Sequence, residues 1–140
     1  MTDKQDIRDR NDIDALMDAF YTRAMSDPLI GRIFTEVAAL DLEEHLPRIG
    51  DFWESMLFQT GDYARHGSNP MLVHGELDKK EPLLPEHFGR WNTIFCETVD
   101  AMFAGPNAEI AKSRARGIIG RMLESLGRTS PVEIIRSAGE

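Results

Sequence analysis

The chain has one cysteine, Cys96. A lone thiol excludes an internal disulfide and any Cys-x-x-Cys zinc or redox motif. Cations are few: 16 Lys and Arg stand against 24 Asp and Glu, a formal net charge of −8. Nucleic-acid binding needs basic side chains gathered to neutralise phosphates, and no such cluster exists. An anionic membrane surface would repel the chain for the same reason. No apolar run approaches the ~20 residues of a membrane span. Residues 1–11 are polar and charged, unlike a secretory leader, so the expected location is the cytoplasm. Also missing are a Gly-rich phosphate loop, a Cys-x-x-Cys-His attachment site and a nucleophilic serine motif. None of the four histidines has Glu three residues before it, which removes the di-iron bundle pattern. No segment alternates with period two, so nothing argues for a sheet.

What is present is helical periodicity. A chain of 140 residues suits one domain, with a core over about 11–127 and tails at 1–10 and 128–140. The hydrophobic fraction of 41% and charged fraction of 29% describe a soluble globular protein. Ile13, Leu16, Met17, Phe20, Tyr21 and Ala24 line one side of a first helix. Asn11 or Asp12 is expected to cap it, and Asp27-Pro28 to end it. Leu29, Ile30, Ile33 and Phe34 predict a short helical turn. A second helix spans about 41–58, with Asp41 and Glu44 as a capping box and Ile49, Phe52, Trp53, Met56 and Leu57 as its apolar face. Pro47 either kinks this helix or marks where it properly starts. Residues 61–69 predict a loop, 71–77 a short helix and 78–84 another loop. Pro85 opens a long helix with the stripe Phe88, Trp91, Phe95, Thr98, Val99, Met102 and Phe103, broken at Gly105-Pro106. The last helix places Ile110, Ala111, Ala115, Ile118, Ile119, Met122 and Leu126 on one side and stops at Gly127. The fold class is therefore all-α.

Candidate chemistry rests on histidines and polar aromatics. His66 lies in a polar loop and His87 in an exposed first turn, so both read as surface. His74 follows Met71, Leu72 and Val73. In those apolar surroundings it is either a core histidine bonded to main chain or an iron ligand. His45 precedes Ile49 by four residues and Trp53 by eight. That spacing turns it inward on a regular helix, where it would need a partner or a cavity; the alternative is a helix-start histidine facing water. Tyr21 and Trp91 sit on inner faces, and a buried phenol or indole seeks a hydrogen-bond partner. By spacing alone, both read first as core aromatics.

The order of these motifs resembles the group III truncated haemoglobins. It runs Phe20-Tyr21, then Asp27-Pro28-Leu29-Ile30-Gly31-Arg32-Ile33-Phe34, then Glu44-His45-Leu46-Pro47 and Phe52-Trp53. Gly61-Asp62-Tyr63, His74 and Phe88-Gly89-Arg90-Trp91 follow. The match covers roughly residues 13–126; within it, residues 64–73 lack the Gly-x-Pro spacing expected after the tyrosine. The resemblance implies a two-over-two helical sandwich holding non-covalent haem b. It implies His74 as the proximal iron ligand. Tyr21, Trp91 and His45 are similar to the distal residues that face the bound ligand. Phe34 resembles the phenylalanine packed on the haem, and Ile49 and Trp53 would continue the distal wall. Arg48 and Arg65 are candidates for the propionates.

An iron with one protein ligand keeps a sixth position open for O2, NO or CO. Donors at Tyr21 and Trp91 would each add ~1.5–3 kcal/mol to a ligand that gathers negative charge. Ligand held so tightly suits redox work, such as nitric oxide detoxification or a peroxidase-like reaction, fed by a reductase or small reductant. The alternatives are an oxygen store or sensor without catalysis, and a haem-free helical interaction module.

Overall fold

The structure is a computed structural model that describes residues 4–37, 41–59 and 83–125. Four long helices carry it: α1 (Arg10–Met25), α2 (Leu42–Phe58), α3 (Pro85–Met102) and α4 (Pro106–Ser125). A short π-helix, Ile33–Val37, lies between α1 and α2. No strand occurs among the described residues. Helix α1 packs on α2 and α3 packs on α4; α1 also meets α3, and α2 meets α4. This is one helical pair laid over another.

All six apolar positions expected to face inward on α1 are buried. Its cap lies two or three residues earlier than Asn11 or Asp12, at Asp9. Asp9 is extended, and its carboxylate accepts from Asp12 N–H at 3.1 Å. The helix ends at Met25, and the buried Asp27 then accepts from the N–H groups of Leu29 and Ile30 at 3.0 and 3.1 Å. That Asx turn redirects the chain, burying Ile30 and Ile33 and leaving Leu29 in water.

Helix α2 starts at Leu42 and continues through Pro47. Asp41 caps it by accepting from Glu43 N–H at 3.1 Å. Glu44 does not complete a capping box; it pairs with Arg48 at 3.2 Å. The apolar face of α2 is the least covered of the four: only Gly50 and Trp53 are buried. Ile49, Phe52, Met56 and Leu57 lean on the core but stay half-buried.

Helix α3 buries Phe88, Phe95, Thr98 and Val99 of the expected stripe, with Trp91 and Met102 half-buried. His87 has a local task. Its Nδ1 accepts from Leu84 N–H at 3.0 Å, holding the entry to the helix. The break at Gly105-Pro106 is real: Gly105 adopts φ +145°, a region closed to most side chains. Asp6 then caps α4 from a distance, accepting from Asn107 and Ala108 N–H, both at 2.9 Å. Ile7 beside it is fully buried. On α4 the core side is Ala108, Ala111, Ala115, Ile119, Met122 and Leu123. Ile110 was expected inside and is 42% exposed, because the alanine stripe, not the bulkier residue, lets α3 approach. Leu126 and Gly127 lie outside the described residues.

Candidate functional site

Three elements converge on Tyr21. The α1 spacing turns its ring inward, and burial is nearly complete at 5% exposure. Its hydroxyl lies 2.7 Å from Nε2 of His45 on α2. The two rings meet edge-on, at 5.2 Å and 86°. Phe34 of the π-helix meets the same phenol at 5.8 Å and 89°. His45 is thus turned inward, as its spacing with Ile49 and Trp53 suggested, and the partner it needed is the phenol.

An aromatic stack supports this pair from behind. Phe20 contacts Tyr21, Trp91 and Phe95 edge-on, at 5.0, 5.2 and 5.6 Å. Phe95 stacks with Trp91 at 5.2 Å and with Trp53 at 5.0 Å. Such pairs contribute about 0.5–1.5 kcal/mol each beyond burial, and together they bind α1, α2 and α3 around one cluster. Trp91 is held in place by this stacking. Its indole makes no hydrogen bond among the described residues.

Burial pushes the Tyr21 phenol well above its ordinary pKa, so the hydroxyl keeps its proton at any physiological pH. Which way the bond to His45 runs depends on the imidazole tautomer. With the proton on Nδ1, the hydroxyl donates to Nε2. With the proton on Nε2, the imidazole donates to the hydroxyl oxygen, and the phenol proton is free for a third group.

Around this polar pair the wall is apolar. Ile49, Phe52 and Met56 follow His45 at helical spacing on α2, and none is fully buried. Large side chains that face inward yet keep part of their surface uncovered suit a flat apolar group more than a closed core. Among the described residues no cluster of His, Cys, Asp and Glu could hold a bare metal ion. A pocket of about 520 Å³ lies elsewhere, on the exposed side of α4, against Ile110, Arg114 and Arg121. None of the residues of the aromatic site lines it.

Of the expected site residues, the structure brings together Tyr21, His45 and Phe34, with Trp91 and Trp53 joined to them through Phe20 and Phe95. Arg48 is exposed and paired with Glu44. His74, Arg65 and the loop and helix expected over 61–82 lie outside the described residues. Two supports went unread in the sequence. Asp27 was seen only as a helix stop, but its carboxylate accepts from Arg90 Nε at 2.8 Å, one residue before Trp91. Arg10 carries no mark in the sequence, although Gly50 inside an otherwise good helix is a signal of close approach by another group.

Similarity to known proteins agrees with this geometry. The chain is 30% identical over 106 residues to the group 3 truncated hemoglobin ctb of Campylobacter jejuni, across 74% of this chain and 79% of that one. Its fold matches the crystal structure of group III truncated hemoglobin from Campylobacter jejuni with a TM-score of 0.73. That match has 28% identity and covers 85% of this chain and 91% of the other. No protein-family model matches the chain. With a helical pair over a helical pair and an inward tyrosine–histidine couple, the fold is that of a truncated globin. The chain belongs to the group III truncated haemoglobins. Haem-based binding of small diatomic ligands comes with that family.

Proposed function

We propose that this protein binds haem b and uses it for redox chemistry on a small ligand, O2, NO or peroxide, rather than for oxygen carriage. The observation that carries the reading is the buried phenol of Tyr21, 2.7 Å from His45 Nε2 and set in an apolar wall. On the family resemblance, His74 holds the iron, and Phe34, Ile49 and Trp53 line the ligand side. When bound, the haem supplies an iron with one coordination position open to ligands.

The chain's own residues then do three things. His45, protonated on Nε2, donates to the Tyr21 oxygen and fixes the direction of the phenol proton. Tyr21 would then donate a hydrogen bond to the electronegative atom of the ligand, and the N–H of Trp91 would offer a second donor. Phe34, Ile49 and Phe52 keep water away, so each bond acts in a low dielectric where it is stronger than in solution. Donors to a charged acceptor contribute ~1.5–3 kcal/mol each, so two of them would slow ligand escape by two orders of magnitude or more. Slow release suits a protein that consumes its ligand, given electrons from a reductase or small reductant.

The test is paired stopped-flow measurement on the reduced protein. Slow oxygen release together with rapid oxidation of the oxygen-loaded protein by nitric oxide or peroxide is the expected result. Fast release with no reaction would instead describe a store or sensor.

A further inference from the structure

We propose that Arg10 is a positioning residue for the ligand-side pair: it sets the rotation of α2 about its own axis, and so the place of His45 against Tyr21. The inference rests on the reading of Tyr21 and His45 as ligand-side groups.

Arg10 is the first residue of α1, yet most of its hydrogen bonds go to α2. Nη1 donates to the carboxylates of Asp51 and Glu54, the latter at 3.1 Å. Nη2 donates to the backbone carbonyl of Pro47 at 3.1 Å. Nε donates to Asp14 on its own helix at 2.8 Å, which holds the side chain in its reach. The guanidinium lies on Gly50. A Cβ there would fall 2.6 Å from Nη2 and 2.9 Å from both Cζ and Nε. Only glycine leaves room for the plane. Burial works against the charge of Arg10, but its three carboxylate partners outweigh that and raise its pKa above the ordinary value.

The location of this clamp gives it leverage. At 100° per residue, Gly50, Glu54 and Asp51 lie roughly 140–240° around α2 from His45. Arg10 therefore grips the side of the helix turned away from the site. The grip also falls at the weakest point of α2. Pro47 has no N–H, so the carbonyl of Glu43 loses its usual partner, and the turn bearing His45 is joined to the rest by one bond fewer. Side-chain tips ride about 5–6 Å from a helix axis, so a rotation of about 10° would carry the imidazole about 1 Å. That is enough to end a 2.7 Å hydrogen bond. The two contacts, Arg10 with residues 47–54 and Tyr21 with His45, pin opposite ends of the α1–α2 crossing.

The experiment uses the full-length, haem-loaded, reduced protein with carbon monoxide as the probe. The C–O stretching band is read by infrared, beside the melting temperature. Tyr21→Phe sets the direction of the band shift when the ligand-side donor is gone. Arg10→Met keeps the stem and removes the fork. It is expected to move or split the band in that same direction and to speed oxygen release roughly tenfold. Arg10→Lys keeps the charge without the fork and is expected not to rescue the wild-type band. Arg8→Ala removes an exposed guanidinium on the same end of the protein and is expected to leave the band unchanged. A lowered melting temperature with an unmoved band in Arg10→Met would overturn the proposal and leave Arg10 a plain structural staple. Should Arg10→Met fail to fold, the pair Asp51→Asn with Glu54→Gln decides by the same band. An unmoved band in Tyr21→Phe would overturn the ligand-side reading itself, and the positioning role with it.

Discussion

The hydroxyl of Tyr21 and Nε2 of His45 stand 2.7 Å apart across the crossing of α1 and α2, inside a wall of half-covered apolar side chains. A tyrosine so placed has one ordinary reason to be there, which is to hydrogen-bond. Removing its oxygen alone should therefore leave the packing and change the chemistry. Tyr21→Phe is expected to raise the oxygen dissociation rate by about tenfold or more, with a fall in melting temperature of only a few degrees from the lost bond to His45. Stopped-flow release and a thermal melt check both halves.

Trp91 offers a separate donor on a different helix. Trp91→Phe keeps the stack on Phe95 and the edge contact with Phe20 but deletes the N–H. Oxygen release is expected to speed severalfold. If the indole and phenol hold the same ligand, the double variant with Tyr21→Phe should depart from the product of the single effects, as coupled groups do.

Asp27 ties the end of α1 to the start of α3, and so to Trp91. Burial alone would raise the pKa of Asp27, but Arg90 and the N–H groups of Ile30 and Leu29 outweigh it and hold the carboxyl below its ordinary value. A carboxyl with a depressed pKa stabilises the fold above its unfolded value, about pH 4. That contribution is lost as the pH falls through the lower folded value. Asp27→Asn is expected to cost about 1–2 kcal/mol at neutral pH. It should also flatten the stability profile below about pH 4 relative to wild type. Urea titrations across that range measure it.

Asp6 caps α4 from outside the helix, accepting from Asn107 and Ala108 N–H. Asp6→Ala should cost about 1 kcal/mol, the usual worth of an N-cap. Gly105→Ala should cost at least as much, since φ is +145° there and a Cβ would lie 2.6 Å from the Asp6 carboxyl carbon. Because both changes strike one contact, their combined cost is expected to fall short of the sum.

The helices were legible because apolar periodicity survives in single sequences. Ile13 through Ala24 is buried as that pattern demands, and Gly105-Pro106 breaks the chain where turn chemistry says it must. Caps were less legible. Asp9, Asn11 and Asp12 are all competent, and only the three-dimensional path of the chain selects Asp9. Ile110 misled because hydrophobicity marks a preference, whereas close helix packing selected the small Ala108, Ala111 and Ala115. At the site, the spacing of His45 with Ile49 and Trp53 left two settings open, inward or facing water, and the contact with Tyr21, 24 positions away, which no spacing shows, decides for the inward one. Arg10 escaped notice because a surface-looking arginine shows no sign, in sequence, of the three groups on another helix that it will bind. His74 stands as the iron ligand on the order of motifs alone, and it lies outside the described residues.

One absorption spectrum carries the most weight. The purified protein, supplied with haem, should show a ferric haem band that moves on reduction and again on addition of carbon monoxide. The His74→Ala variant should lose the haem or hold it only weakly. A colourless wild type, or a variant whose spectrum and haem retention equal the wild type's, would contradict iron ligation by the imidazole at position 74.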